Sequence, residues 1–130
     1  MASEIFVGKR RLAVSRVKLT PGNKRIVLND KLLEAYPKTI QLKIQEPLIV
    51  IGEDGFDIRI NAAGGGIISQ AEAAAQGIAR AIVSLKGDEA KKAFLDYDRA
   101  LLVQDPRRAE PHKPSRSKKG ARRHKQRSKR

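Results

Sequence analysis

The 130-residue sequence contains no cysteine and no tryptophan, and its aromatic residues are limited to three phenylalanines and two tyrosines. Without cysteine, disulfide bonds, thiolate zinc sites and thiol nucleophiles are excluded. Long hydrophobic runs are also missing: the longest aliphatic run, at 48–51, has four residues, whereas a membrane-spanning helix needs about 20. Residues 1–5 show no hydrophobic region before a signal cleavage site. We therefore expect a cytoplasmic protein that does not bind membranes.

Residues that could carry catalysis or bind a metal are equally scarce. The two histidines, His112 and His124, lie in a C-terminal segment with almost no hydrophobic residues, so nothing would hold them against a base or a metal ion. The acidic pairs at 53–54 and 88–89 adjoin glycines, where carboxylates usually cap helices or face solvent. The sequence therefore predicts no catalytic residue, no metal site and no cofactor.

What the sequence does contain is positive charge, and this charge is concentrated near the C-terminus. The formal net charge is +14, from 28 lysines and arginines and 14 acidic residues. Residues 107–130 carry 12 of these basic residues and a single acid, Glu110. Because its only apolar residues are two alanines, this segment cannot bury enough surface to offset its conformational entropy. We therefore predict a globular domain at 1–105 and an extended, disordered basic tail at 106–130.

The composition of the tail indicates a polyanionic partner. Lysine and arginine neutralise phosphates and release counterions, and arginine adds bidentate phosphate contacts. The tail has no aromatic residue for base stacking and no amphipathic apolar face for a membrane surface. Since its 24 residues from Arg107 onward can reach about 80 Å when extended, we expect the tail to thread between packed RNA helices and to become ordered there.

Strand signals dominate the first half of the predicted domain. Segments 12–19 and 25–28 are rich in β-branched and alternating residues, and the Pro-Gly-Asn turn between them predicts a basic N-terminal hairpin. Ile40 to Gln45 alternates with period two and is predicted as a third strand, followed by a short helix from Pro47 to Gly52. Phe56 to Asn61 is the clearest strand in the chain.

A long helix is predicted after the glycine run at 64–66, with a Ser-x-x-Glu capping box at 69–72 and a second helix at 88–97. The predicted order is β-β-β-α-β-α-α, an α/β two-layer sandwich with helices on one face of the sheet. The apolar stripe of the long helix consists of Ile68, Ala71, Ala75, Ile78, Ile82 and Leu85.

The glycine run, Gly64, Gly65 and Gly66, has two interpretations. Free N–H groups at a helix N-terminus can bind phosphate, which makes these glycines candidate phosphate contacts. Alternatively, they form a tight strand-to-helix turn in which larger side chains would clash. A phosphate-binding enzyme built on them is disfavoured, because neither the P-loop pattern nor the GxGxxG fingerprint is present.

Several motifs follow one another along nearly the whole chain: GKRRLAVSRV at 8–17, EPL at 46–48, GGG at 64–66, SQA at 69–71, GIARA at 77–81, DPRRAE at 105–110 and SKR at 128–130. Together they resemble the small-subunit ribosomal protein nine family. DYDR at 96–99, EPHKP at 110–114 and KGAR at 119–122 are most similar to its archaeal branch, although Lys129 stands where archaeal members usually have tyrosine.

The resemblance implies both a fold and a place of action. The fold would resemble the second domain of ribosomal protein five, with a left-handed β-α-β crossover. The protein would be a structural constituent of the small-subunit head that binds the 3′ major domain of the rRNA and contacts other head proteins, without forming a homo-oligomer. Its tail would reach the anticodon stem-loop of the peptidyl-site tRNA. The residues facing this tRNA would be Ser128, Lys129 and Arg130, and those facing rRNA would be Lys9, Arg10, Arg11, Arg16, Arg107, Arg108, Lys113, Arg116, Lys118, Lys119, Arg122, Arg123, Lys125 and Arg127.

The main alternative is a DNA-binding protein of the nucleoid type. The basic tail alone would fit that function, because its phosphate contacts do not depend on the sugar or the base. This alternative leaves the well-defined α/β domain without a role.

Overall fold

The computed structural model describes residues 4–52 and 55–114, which form five strands and three helices. The strands are β1 Phe6–Arg10, β2 Ala13–Pro21, β3 Ile26–Leu28, β4 Lys31–Leu32 and β5 Phe56–Ala63, and the helices are α1 Lys38–Ile51, α2 Ile67–Lys86 and α3 Asp88–Tyr97. Two 3-10 turns lie at Leu33–Ala35 and Arg99–Leu101. The fold is therefore mixed α/β, and its order is β-β-β-β-α-β-α-α rather than the predicted β-β-β-α-β-α-α.

The strands form one sheet in the order β1-β2-β5-β3-β4. β2 pairs antiparallel with β1 and β5, whereas β3 runs parallel to β5 and antiparallel to β4. The predicted hairpin between 12–19 and 25–28 is therefore wrong, because β5 lies between these segments. The N-terminal hairpin is formed by β1 and β2 instead, and the sequence signal for β1 is weak because Gly8 and two basic residues interrupt its apolar alternation.

The carboxylate of Asp57 explains why β2 and β3 separate. Its Oδ1 accepts hydrogen bonds from the N–H groups of Asn23 at 2.8 Å and Arg25 at 3.0 Å. The N–H of Gly22 donates to the carbonyl of Gly55 at 3.0 Å. The turn after β2 is thus satisfied by the start of β5, which takes the place beside β2 that the predicted hairpin gives to β3.

Segment 40–45, predicted as a third strand, lies in α1. Ile40, Ile44 and Pro47 are buried, and their spacing of four and three follows the helical period. Leu42, which would share a strand face with the two isoleucines, is 53% exposed. Pro47 lies inside the helix and not at the start of a new one, and α1 ends at Gly52, whose φ of 75° forms a left-handed cap.

Helix α2 contains the predicted apolar stripe and packs against β1 and β2. The four central residues of the stripe are buried, but Ile68 and Leu85 at its ends are 60% exposed. The predicted capping box is wrong, because α2 begins at Ile67 with Gly66 at the N-cap and no side chain caps it. The close packing depends on small residues: a Cβ at Gly8 would lie 1.9 Å from the carbonyl oxygen of Ala73.

The helices cover one face of the sheet and leave the other face open. In β2, Ala13, Ser15 and Val17 are buried, whereas Arg16 and Lys18 are exposed. β5 shows the same alternation, and the buried residues of both strands join α1, α2 and α3 in one hydrophobic core. This arrangement agrees with the predicted two-layer sandwich. The left-handed crossover and the likeness to ribosomal protein five stay predictions.

Candidate nucleic-acid interface

The chain that follows α3 is fixed across the edge of β1 before the basic tail begins. The side chain of Asp98 accepts a hydrogen bond from the N–H of Ala100 at 2.9 Å, and Leu101 is buried in the core. Arg80 of α2 then joins two segments: its Nε donates to the carbonyl of Leu102 at 3.2 Å and its Nη1 to the carbonyl of Val7 at 2.8 Å. Residues 98–102 are therefore held in one position on the domain.

A cluster of ion pairs lies directly after this segment, and we call it the tail root (Arg10, Glu72, Asp105, Arg107). The Asp105 carboxylate accepts hydrogen bonds from the guanidinium groups of Arg10 and Arg107. Arg10 also donates through Nε to Glu72 at 2.8 Å. The tail root thus connects the end of β1, the first half of α2 and the first residues of the tail.

Hydrogen bonds from Arg107, and secondarily from Arg10, hold the pKa of the Asp105 carboxyl well below its usual range. Asp105 in turn raises the pKa of Arg107. Asp105 and Arg107 are therefore both charged at neutral pH, and the direction in which the tail leaves the domain is set by charge-assisted hydrogen bonds.

The two predicted rRNA contacts in the tail root differ in how accessible they are. The Arg10 side chain is only 19% exposed and is shared between two carboxylates. The Arg107 side chain is 78% exposed, so it can contact a further anion while it pairs with Asp105. The structure therefore leaves Arg107 available for a phosphate and turns Arg10 inward, toward the helical layer.

The four basic residues predicted to act together in the N-terminal hairpin do not share one surface. Lys9 and Arg16 are exposed on the open face of the sheet, and Arg11 lies in the β1–β2 turn with a positive φ of 53°. Arg10 lies on the covered face with Glu72. This division follows from strand geometry, because successive side chains of a strand point to opposite faces.

Of the predicted tail residues, the structure describes those up to position 114. Arg108, His112 and Lys113 are exposed there, and Arg108 donates through Nη1 to the carbonyl of Asp105 at 3.3 Å. The remaining predicted contacts lie outside the described residues: Arg116, Lys118, Lys119, Arg122, Arg123, Lys125, Arg127, Ser128, Lys129 and Arg130, together with His124.

The glycine loop at 64–66 adjoins the turn of the N-terminal hairpin. Gly64 and Gly65 have φ values of 78° and 60°, and a Cβ at Gly64 would lie 2.4 Å from the carbonyl oxygen of Leu12. These two positions therefore require glycine for steric reasons. Around a Cβ at Gly66 there is open space, and phosphate contact at this loop stays a prediction.

Two exposed basic residues on the open face, Lys18 and Arg59, were not among the predicted contacts. They lie directly opposite each other on β2 and β5. The alternation of Arg16 and Lys18 along the chain is a usable signal for the first residue. No sequence signal places Arg59 beside them, because the β2–β5 pairing joins segments about 40 residues apart.

Neither a cluster of metal ligands nor a membrane-spanning helix lies within the described residues, 4–52 and 55–114. No group of three or more potential metal ligands lies together there. No helix in this part of the chain is long and apolar enough to cross a membrane. The buried polar side chains have structural partners: Gln76 accepts a hydrogen bond from the N–H of Lys9 at 2.8 Å, and Ser15 donates to the carbonyl of Gly8.

The chain is similar to known proteins along nearly its whole length. A family model described as "Ribosomal protein S9/S16" matches residues 8–130. A protein of Methanococcus vannielii named "Small ribosomal subunit protein uS9" is 47% identical over 126 residues, which cover 94% of each chain. Proteins of the same name from strains C7 and C5 of Methanococcus maripaludis are 48% identical over the same coverage.

Proposed function

Because the chain belongs to the ribosomal protein S9/S16 family and is similar to archaeal members, we propose that it binds the 3′ major domain of small-subunit rRNA and reaches the peptidyl-site tRNA with its tail. Membership of this family establishes the general role of the protein. The protein is a structural constituent of the small ribosomal subunit, it takes part in translation in the cytoplasm, and its family is not known for enzymatic activity.

The observation that supports this proposal best is the tail root. A long basic segment binds RNA anywhere along its length, but it delivers a particular end to a particular place only if its start is fixed. In this protein the ion pair between Asp105 and Arg10 holds the start of the tail to the folded domain. The 24 residues from Arg107 onward can then extend about 80 Å, which is enough to cross several packed RNA helices.

The basic residues of the tail have graded roles in this proposal. Those between the root and position 127 neutralise rRNA phosphates along the path, and many replaceable contacts share this function. The last three residues, Ser128, Lys129 and Arg130, contact the anticodon stem-loop of the tRNA. Other proteins of the subunit head are expected neighbours of the domain.

A pair of truncations tests this division. Removal of residues 128–130 should weaken tRNA binding at the peptidyl site and leave small-subunit assembly intact, because the rRNA path is unchanged. Removal of residues 107–130 should also reduce incorporation of the protein into subunits. The measurements are filter binding of tRNA to purified programmed subunits, and the amount of this chain per subunit.

The control is a chain in which Lys129 and Arg130 are replaced by alanine at full length. It separates the loss of charge from the loss of length. If the three-residue truncation abolishes subunit assembly, or leaves tRNA binding unchanged in correctly assembled subunits, the proposed role of the tail end is wrong.

A further inference from the structure

The open face of the sheet carries a group of basic side chains on three adjacent strands. Arg16 and Lys18 lie on β2, and Arg59 lies on β5 opposite Lys18. Lys9 lies on β1 opposite Val14, two residues along β2 from Arg16. All four are exposed. Strands are about 4.8 Å apart and every second residue shares a face, so the four groups form one continuous basic surface, which we call the open-face patch.

Within the described residues, none of the four side chains in the open-face patch forms an ion pair. Lys18 and Arg59 are direct partners across antiparallel strands, where like charges destabilise a sheet. The fold therefore carries an unfavourable electrostatic contact at this point, and a bound anion would remove it.

The acidic residues near the open-face patch form no ion pair with its four basic residues within the described part of the chain. Asp57 lies two residues from Arg59 on the same face, and its Oδ1 accepts hydrogen bonds from the N–H groups of Asn23 and Arg25 instead. Asp30 follows β3, on the side of the sheet remote from β1. Toward β3 the patch ends at a groove, which is lined by Lys18, Arg59 and these two carboxylates.

The side chains around the patch indicate which part of a polyanion it fits. Its neighbours on the same face are Val7, Val14, Thr20, Val27 and Asn61, and the described residues place no aromatic side chain among them. Binding by base stacking needs such rings, whereas exposed lysine and arginine contact phosphates and fix the position of the nucleic acid.

We propose that the open-face patch binds the phosphate backbone of RNA, with Lys18 and Arg59 at its centre. This inference rests on the proposed rRNA-binding function and extends it, because it gives the folded domain a contact surface separate from the tail. The acidic groups of the tail root lie on the other face of the sheet, so the two surfaces act independently.

The test replaces Lys18 and Arg59 together by threonine, which suits an exposed strand position, in the full-length chain. Binding to an rRNA fragment of the 3′ major domain is measured between about 50 and 300 mM salt, a range over which the Debye length falls from about 14 Å to about 6 Å. Each lost phosphate contact lowers the salt slope by about 0.7–0.9, so we expect a decrease of about 1–2 units. The matched control replaces Lys91 and Lys92 of α3 by alanine and should keep the wild-type slope.

Thermal unfolding of the same variants shows whether the fold is retained. Because the substitutions remove an opposed like-charge pair, the melting temperature of the double variant should equal or exceed that of the wild type. A folded double variant that binds the rRNA fragment with wild-type affinity and wild-type salt slope overturns the proposal. This also holds if the variant no longer binds an acidic protein, because the patch would then contact protein and not RNA. If the wild-type chain does not bind the fragment at all, the rRNA-binding function fails with it.

Discussion

Arg10 and Arg16 lie in the same hairpin, six residues apart, yet the structure places them in different environments. Arg10 faces the helical layer, is 19% exposed and pairs with Glu72 and Asp105. Arg16 faces away from the helices and has no ion pair among the described residues. One cation therefore holds the protein's own chain, and the other is available to a partner. In this basic hairpin, the face of the sheet on which a side chain lies therefore separates cations that stabilise the fold from cations that are available for binding.

The largest effect is expected where the covered face is disrupted. Ile60 is completely buried, whereas its neighbour Arg59 is exposed. Ile60→Ala should lower the free energy of unfolding by about 2–5 kcal/mol, but Arg59→Thr should change it by less than about 0.5 kcal/mol. Chemical denaturation of both variants measures the difference. Equal losses would show that β5 does not have one covered and one open face.

A smaller but specific effect is expected at the contact between β1 and α2. Gly8→Ala places a methyl group 1.9 Å from the carbonyl oxygen of Ala73, and backbone atoms cannot move aside as flexible side chains do. We expect a loss of about 1–3 kcal/mol, as for other overpacked sites. Gly55→Ala is the control, because its Cβ would lie in open space and it caps no helix. A neutral Gly8→Ala would mean that β1 is not packed this closely on α2.

The tail root gives a pH-dependent prediction. Because the folded-state pKa of Asp105 is lowered by Arg107 and Arg10, its ionised form stabilises the root above the ordinary carboxyl pKa, and this contribution is lost as the pH falls. Asp105→Asn should therefore speed amide exchange in segment 99–107 at neutral pH, with the difference from wild type disappearing in strong acid.

The control for this prediction is Asp96→Asn, which removes an exposed carboxylate from α3. Its exchange profile in segment 99–107 should match that of the wild type at every pH. If Asp105→Asn also matches the wild type at neutral pH, the ion pairs do not hold the start of the tail.

Two local elements of the fold could be predicted from the sequence. Strand β5 and helix α2 have strong periodic patterns, and both lie where these patterns predict them. Segment 40–45 was ambiguous, since isoleucines at 40 and 44 fit both periods. In the structure Ile40, Ile44 and Pro47 are the buried residues of α1, and this helical spacing becomes visible only when Pro47 is included with the two isoleucines.

For the candidate site, the sequence predicts where basic residues are concentrated along the chain, but not which of them lie together in the fold. The concentration of basic residues after Arg107 is visible without a structure. The pairing of Arg10 with Asp105 joins residues 95 positions apart, and the apposition of Lys18 and Arg59 depends on which strands are neighbours. The first depends on the packing of the segment after α3 beside β1. The second depends on the sheet order β1-β2-β5-β3-β4, and no local pattern specifies either.

The most direct test of the account is sedimentation of a cell lysate through sucrose gradients at moderate and high salt, with this chain detected by antibody. The account predicts that the protein moves with small ribosomal subunits and remains there at salt concentrations that remove loosely bound basic proteins. Recovery at the top of the gradient, or in a pellet that DNase disperses, would contradict it and favour DNA binding.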